Sequence, residues 1–312
     1  MPKSDNVWHS VPTMKTPPLS VQLAMFDRQR PVRVVPFRRG LLKWIGNKQK
    51  TAAEIISYFP ADFGTYYEPF LGSGAVLATV APKRAVGSDT FQPLMTIWQT
   101  LHDSPEALKC WYAERWQRMM AGQKVEEYEK IKASYNASPN PADLLFLCRS
   151  CYGGVVRFRK ADGYMSTPCG IHDPIKPESF SRRVDEWHRR TRGTDFVRMD
   201  YEEAMERAQT GDLIYCDPPY SHSQAILYGA QSFSLPALFR AIERCKRRGV
   251  RVAVSIDGTK RSGKHFCPLP IPPGLFGREI FVDCGRSMLK RFQMNGKTLE
   301  HEVVADRLLL TY

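Results

Sequence analysis

The sequence contains no long apolar run. No stretch approaches the roughly 18 consecutive apolar residues that a membrane-spanning helix requires, and residues 1–10 are polar. This start lacks the charged-then-apolar pattern of a secretion signal. We therefore expect a soluble, cytoplasmic protein.

A disulfide framework is also missing. The eight cysteines are scattered over 312 residues, and an intracellular setting keeps thiols reduced. Only Cys148 and Cys151 have Cys-x-x-Cys spacing, and no second pair supplies the four ligands of a structural zinc site. Two buried thiols on a helix are the favoured interpretation, zinc is the alternative, and no metal is predicted.

Acidic residues are scarce relative to basic ones. The chain has 32 Asp and Glu against 45 Lys and Arg, which gives a formal net charge of +13 at pH 7. Such a charge favours a polyanionic partner, most simply nucleic acid, although an anionic membrane surface also fits. The 43% of hydrophobic and 25% of charged residues are ordinary for a globular protein.

The first half of the ordered chain predicts an α/β sheet. Residues 1–35 contain several prolines and no apolar period, which indicates a loosely structured leader. A strand at 63–68, the glycine turn Pro69-Phe-Leu-Gly-Ser-Gly74 and an apolar helix at 75–80 form the opening unit of a nucleotide-binding sheet. A second strand, 84–89, ends on an acid.

Two carboxylates are candidates for binding a ribose. Asp89 lies about twenty residues beyond Glu68, the spacing of a ribose-binding acid in dinucleotide-type folds, and Glu68 could serve one strand earlier. For each of them, taken alone, a loop or helix-cap acid is the simpler alternative.

The second half continues the alternation of strands and helices. We expect strands at 196–201, 213–215, 249–255, 278–283 and 302–311, and helices at 202–209 and 237–248. The last two strands, joined by the basic loop 285–297, predict an antiparallel hairpin on the sheet edge. No internal repeat is present.

An insertion is predicted at 105–195, because the distance between the two halves exceeds what one strand and its helices need. It has helical patterns at 105–120, 125–135 and 144–151, and then a hairpin whose tight turn is Asp162-Gly163. Arg157, Arg159 and Lys160 lie on this hairpin.

Further along the insertion, Arg182, Arg183 and neighbouring arginines surround Trp187. This mixture of charge and stacking surface suits phosphate and base contacts; a solvated surface is the alternative.

The sequence Asp217-Pro-Pro-Tyr220 ends the strand at 213–215. Two prolines cannot donate to a sheet ladder, so the strand stops and leaves Asp217 at its carboxyl edge. Open α/β sheets bind ligands at that edge. A carboxylate, a backbone carbonyl and an aromatic ring together suit a flat ligand that carries an amine, although a strand followed by a proline turn is the simpler alternative.

Three motifs follow one another in a fixed order: Lys43-Trp-Ile-Gly-Asn-Lys48, the glycine turn with its preceding Glu68, and Asp217-Pro-Pro-Tyr220. With them, residues 41–312 resemble the Dam-type, alpha-group DNA N6-adenine methyltransferases. The resemblance implies a Rossmann-like, S-adenosylmethionine-dependent methyltransferase sheet at 36–104 and 196–312. It also implies an inserted, mainly helical target-recognition domain with a β-hairpin at 105–195.

The resemblance assigns roles to particular residues. S-adenosyl-L-methionine would be bound by Trp44, Lys48, Glu68, Pro69, Phe70, Gly72, Gly74, Asp89, Asp200 and Tyr201. Catalysis on an adenine flipped out of double-stranded DNA would involve Asp217, Pro218, Pro219 and Tyr220. The residues expected on DNA are Arg157, Arg159, Lys160, Arg182, Arg183, Lys290 and Arg291. The chain departs from the family pattern at Ile256, where an Asn is usual.

Two other functions share part of this pattern. An RNA adenine methyltransferase would have the same catalytic motif, but such enzymes usually add a separate RNA-binding module. A catalytically silent DNA-binding regulator would not need the intact Asp217, Pro218 and Tyr220. The recognition sequence and the choice between monomer and homodimer stay open.

Overall fold

The structure, a computed structural model, describes residues 34–159, 161–219, 233–260, 265–266, 269–286 and 303–312. Several predictions lie outside these residues: most of the leader, positions 287–297 of the predicted loop between the last two strands, and Lys160, Tyr220, Lys290 and Arg291.

Eight strands of the described chain form one sheet. They are β1 (Tyr66–Glu68), β2 (Ala85–Asp89), β3 (Thr194–Arg198), β4 (Leu213–Cys216), β5 (Arg251–Lys260), β6 (His265–Phe266), β7 (Arg278–Arg286) and β8 (Val303–Leu310). The order across the sheet is β3-β2-β1-β4-β5-β8-β7, and β6 pairs with β5. Strands β1 to β5 are parallel, whereas β8 runs antiparallel between β5 and β7. The mixed sheet confirms the predicted α/β class.

The described residues form nine α-helices: α1 (Ala52–Ser57), α2 (Ala75–Val80), α3 (Gln92–Asp103), α4 (Pro105–Ala121), α5 (Lys124–Ala137), α6 (Pro141–Ser150), α7 (Pro177–Arg190), α8 (Tyr201–Arg207) and α9 (Leu235–Arg247). Helices α4 to α7 lie between α3 and β3 in the chain, where the insertion is predicted. No described helix has the length and apolar character to cross a membrane.

The strand order reverses between β1 and β4. From β1 the sheet continues through β2 to β3 on one side, and from β4 it continues to β5 on the other. The helices that follow β1 and β4 therefore lie on opposite faces, which leaves a crevice at the carboxyl ends of these two strands. All four residues of β4 are buried, as expected for a strand covered on both faces.

The structure corrects one prediction for helix α7, the surface position of Trp187. Phe180, Val184 and Trp187 form one buried face of this helix. Trp187 is fully buried, packs on Trp98 of α3 with ring centroids 5.3 Å apart, and donates its indole N–H to the Arg39 carbonyl. The expectation that Trp187 offers a stacking surface to bases is wrong, because its spacing places it on the apolar stripe of an amphipathic helix.

The predicted strand at 196–201 is shifted. Strand β3 begins at Thr194 and ends at Arg198. Asp200 is instead the N-cap of α8, where its side chain accepts the backbone N–H of Glu202 at 2.9 Å. An Asp in this position stabilises the start of a helix, so Tyr201 begins α8 rather than ending a strand.

The tight turn predicted in the insertion is present. The Arg159 N–H donates to the Tyr164 carbonyl at 2.8 Å, and Gly163 has a φ of 68°. Regular pairing is confined, in the described part of this hairpin, to the bridge between Phe158 and Met165. Cys148 and Cys151 are both buried at the end of α6.

The contact between β2 and β3 generates a test. A methyl group added at Gly193 would meet the Lys83 carbonyl oxygen directly, and this carbonyl belongs to the backbone that leads into β2. We expect Gly193→Ala to lower the free energy of unfolding by about 1–3 kcal/mol, the usual cost of overpacking. Chemical denaturation measures the change.

Gly277→Ala is the matched control, because the nearest atom to its added methyl is the Tyr312 carbonyl oxygen at 3.8 Å. Equal stabilities of the two variants would contradict the close packing at Gly193.

Candidate active site

A cleft lies where β1 and β4 end. It encloses about 370 Å³ of space open to solvent. One wall is the segment 44–48, another is the glycine turn after β1, and Tyr215 and Asp217 close it from β4. The cleft thus brings together Trp44, Lys48, Glu68, Phe70, Gly72 and Asp217, which the sequence analysis assigned to cofactor binding and catalysis.

Asp217 forms an ion pair with Lys48. The Lys48 Nζ lies 2.7 Å from Asp217 Oδ1, and the two side chains are 8% and 19% exposed. Burial disfavours the charged ammonium, but Asp217 and Asp306 outweigh this effect and raise the pKa of Lys48. Lys48 therefore stays protonated and holds the Asp217 carboxylate at the mouth of the cleft. Pro218, which follows, is buried, and Pro219 is half-buried.

Glu68 is a second carboxyl group in the cleft. It is 3% exposed, and its Oε2 accepts the hydroxyl of Tyr66 at 2.7 Å. Burial raises the pKa of Glu68 to about 8, against the effect of the Tyr66 hydrogen bond and with a further contribution from the charge of Asp217. At neutral pH this group is mostly protonated.

The glycine turn after β1 is fixed from several sides. Gly72 and Gly74 have φ angles of 46° and 60°, in the left-handed region that favours glycine. Asp89 Oδ2 accepts the Gly72 N–H at 3.2 Å, and the Trp98 indole donates to the Gly72 carbonyl at 3.1 Å. A methyl at Gly72 would lie 3.2 Å from the Trp44 ring, so Trp44 packs directly on the turn.

The other predicted cofactor residues lie around the cleft rather than on its wall. Asp89 ends β2 and also accepts the Phe91 N–H at 3.1 Å; burial raises the pKa of Asp89. Tyr201 lies behind the wall residue Phe70, and the two rings stack with centroids 5.1 Å apart. Asp200 is exposed at the start of α8. Pro69 is buried behind the turn.

Ile256 lies where the alpha-group family, which the sequence resembles, usually has Asn. It is 4% exposed on β5 and belongs to the buried apolar cluster that includes Leu275 and Leu309. Its side chain is thus part of the core on one face of the sheet.

The predicted DNA-contacting residues differ in their environments. Arg159 is exposed, pairs with Asp162 at 2.6 Å, and lies over the Tyr164 ring at 4.3 Å. Arg157 is half-buried and Arg182 exposed. Arg183 is half-buried and donates to the Gly40 carbonyl at 3.0 Å, so it also holds the segment before the first motif.

The sequence analysis missed Asp306. This residue lies on β8, is 8% exposed, and its Oδ2 is 3.6 Å from Lys48 Nζ. Two adjacent charged residues, Asp306 and Arg307, inside the otherwise apolar run 303–310 were the available signal, because a buried charge needs a partner.

The raised pKa of Glu68 generates a test of stability against pH. An unfolded chain loses the Glu68 proton near its ordinary pKa of 4.5, whereas the folded protein keeps it until about pH 8. Between these values the unfolded state binds fewer protons, so the free energy of unfolding falls as pH rises, by about 1.4 kcal/mol per pH unit at most. Above pH 8 the effect is constant.

We expect Glu68→Gln, measured by urea denaturation from pH 5 to 9, to become progressively more stable than the wild type up to pH 8. Glu178→Gln, at an exposed position in the first turn of α7, is the control and should follow the wild type. A constant difference between Glu68→Gln and the wild type would contradict the shifted pKa.

Similarity to known proteins extends across this site. The chain is 27% identical over 241 residues to a DNA adenine methylase of Vibrio cholerae, covering 73% of this chain and 85% of that protein. It is 31% identical over 190 residues to the retron Ec67 DNA adenine methylase of Escherichia coli, covering 58% and 63% of the two chains. A DNA N-6-adenine-methyltransferase of Escherichia phage P1 is 27% identical over 235 residues, which is 71% of this chain and 30% of the phage protein.

The match to a family extends over more than half of the chain. Residues 44–264 match the family described as D12 class N6 adenine-specific DNA methyltransferase. They include the Lys48–Asp217 pair, the glycine turn and the helices α4 to α7. The chain therefore belongs to the D12 class of N6 adenine-specific DNA methyltransferases.

Proposed function

We propose that this protein transfers the methyl group of S-adenosyl-L-methionine to the N6 amine of an adenine flipped out of duplex DNA, at a specific site. The observation that carries the proposal is the Asp217 carboxylate, held by the buried Lys48 ammonium at 2.7 Å beside the glycine turn. The family membership agrees with this chemistry.

The cleft fits the cofactor that the family implies. S-adenosylmethionine supplies an electrophilic methyl on a sulfonium, and it carries a second positive charge on its amino group at neutral pH. Asp217 lines the cleft and contributes negative charge, whereas Glu68, mostly protonated at neutral pH, offers a carboxyl oxygen as a hydrogen-bond acceptor. Gly72 has no side chain of its own, so Trp44 can pack closely against the backbone of the turn at the edge of the cleft. Trp44, Phe70 and Asp89 would complete the binding site.

The target amine needs help to react. Its lone pair is delocalised into the adenine ring, and in duplex DNA the base is stacked, so it must first leave the helix. Asp217 and the Pro218 carbonyl each accept one N–H of the amine. This would draw the nitrogen towards a tetrahedral geometry and free the lone pair for in-line attack on the methyl. The sulfur–methyl bond would break as the nitrogen–carbon bond forms, and the amine would then lose one proton to Asp217 or to solvent. Tyr220, outside the described residues, would stack on the base.

Lys48 contributes by preorganising the acceptor. Because it binds Asp217 Oδ1, the carboxylate is oriented before the adenine arrives, and little reorganisation is needed in the transition state. Most of the rate would come from positioning and fixed dipoles.

The DNA surface would be formed by basic residues of the insertion and of the loop 285–297, in a chain whose formal net charge is +13. Phosphate contacts give affinity and position the duplex, while base-edge contacts give site preference. The candidates are Arg157, Arg159, Lys160, Arg182, Arg183, Lys290 and Arg291. Arg159 is an exposed candidate that also has an aromatic neighbour, the Tyr164 ring.

Asp217→Ala tests the catalytic assignment. It removes the acceptor of the amine, so we expect the methyl-transfer rate on duplex DNA to fall by at least about a thousandfold. DNA affinity and far-UV circular dichroism should be largely kept. Asp195→Ala, an exposed acid on β3, is the control. Wild-type transfer by the Asp217→Ala protein would show that this carboxylate does not hold the amine.

A second test concerns DNA recognition. Arg157→Gln with Arg159→Gln should weaken DNA binding and should change site preference if either residue reads a base edge. The salt dependence of binding should become shallower by roughly one unit of slope for each phosphate that the variant no longer neutralises. Fluorescence anisotropy over a salt series, together with sequencing of modified bases, measures these effects.

The matched control is Arg207→Gln with Arg247→Gln. These arginines are exposed and pair with helix acids at 2.6 Å, as Arg159 pairs with Asp162. Unchanged affinity and unchanged site preference in the first double variant would assign recognition to other residues, such as the basic loop 285–297.

A further inference from the structure

Lys48 stands between two carboxylates that come from distant parts of the chain. Asp217 follows β4 and is 2.7 Å from the ammonium, and Asp306 on β8 is 3.6 Å from it. A third contact runs from Nζ to the Gly46 carbonyl at 3.3 Å. All three acceptors belong to different segments, and the side chain of Lys48 is 8% exposed. Its position is therefore set by protein atoms more than by water.

The number of carboxylates that share the Lys48 ammonium affects how well Asp217 can accept the target amine. A single Lys–Asp pair would be neutral, and the lysine would compete with the adenine amine for the electron density of Asp217. With Asp306 present, the group of Lys48, Asp217 and Asp306 has a formal charge of −1. The ammonium is shared, so Asp217 keeps more of its negative charge for the amine.

Strand pairing places Asp306 at this point. Strand β8 runs antiparallel to β5, with Asp306 opposite Asp257 and Arg307 opposite Ile256. Strand β8, near the C-terminus, therefore places Asp306 next to the Lys48–Asp217 pair at the end of β4. Neighbouring residues Leu308, Leu309 and Leu310 are buried, which holds the strand in register and leaves Asp306 little freedom to move away.

We propose that Asp306 is a positioning residue for methyl transfer, which shares the Lys48 ammonium with Asp217 and so sets the charge and orientation of the carboxylate that takes the target amine. The proposal rests on the proposed function, since it assigns a role within the same reaction. Asp306 does not itself touch the substrate in this arrangement; it acts through Lys48.

The test is Asp306→Asn, which keeps the shape of the side chain and removes its charge. We expect kcat to fall by about 10- to 100-fold, the usual effect of a residue that orients a catalytic group, with a smaller change in the KM for the cofactor. Asp195→Asn, on the exposed part of β3, should leave both constants unchanged. Circular dichroism and thermal melting check that each variant is folded.

The pH profile separates positioning from a purely structural role. Among the residues that the structure describes, the titratable groups that face Lys48 are Asp217, Asp306, Cys284 on β7 and Glu68 on β1. Asp306 helps to raise the pKa of Lys48, so its removal should lower that pKa and move the basic limb of the kcat profile to lower pH. Asp306→Glu, which restores the charge, should return the limb towards the wild-type position.

A measurement that does not depend on methyl transfer tests this proposal separately from the proposed function. The Lys48 pKa is followed by NMR of the side-chain amine in wild type, Asp306→Asn and Asp195→Asn. A lowered pKa only in Asp306→Asn, with reduced kcat, supports the proposal. An unchanged pKa or a wild-type kcat in a folded Asp306→Asn protein overturns it. Wild-type protein inactive on every adenine-containing duplex, but with the expected pKa shift, would refute the proposed function and leave the Lys48–Asp306 pairing intact.

Discussion

A buried ammonium that must be balanced by carboxylates constrains the whole site. Lys48 is almost fully buried, and an isolated ammonium there would be costly. Asp217 and Asp306 supply the opposite charge. This requirement joins the segment before the first helix, the end of β4 and the last strand at one point. The site can therefore form only when the central sheet and its antiparallel strand β8 are both in place.

The glycine turn depends on a different kind of contact. Trp98 of α3 binds the Gly72 carbonyl, and Trp187 of α7 packs on Trp98. A methyl at Gly74 would lie 3.4 Å from Trp187. Helix α7 belongs to the stretch predicted as an insertion, yet its Trp187 packs against the glycine turn and against Trp98. Helix α7, which carries Arg182 and Arg183, and the turn expected to bind the cofactor thus pack against one hydrophobic core.

Much of the fold could be predicted from local patterns. The helix at 75–80, the pair of helices in 105–135 and the strand that Asp217 ends all lie where the apolar spacing and the prolines indicated. The errors have specific causes. Trp187 was assigned to the surface because its arginine neighbours outweighed its spacing from Phe180 and Val184. The strand expected at 196–201 included Asp200, whose side chain caps a helix instead.

The sequence by itself determined the chemical groups: a carboxylate held at a strand end by two prolines, a glycine turn, a lysine in the first motif and a strong positive charge. These are local or compositional properties, and short-range sterics and residue chemistry are sufficient to indicate them. Tertiary structure alone decided which charges meet. Lys48 and Asp217 are 169 positions apart, and Asp306 reaches them only because β8 inserts between β5 and β7. That register depends on the pairing and burial of whole strands, which no local pattern in the sequence encodes.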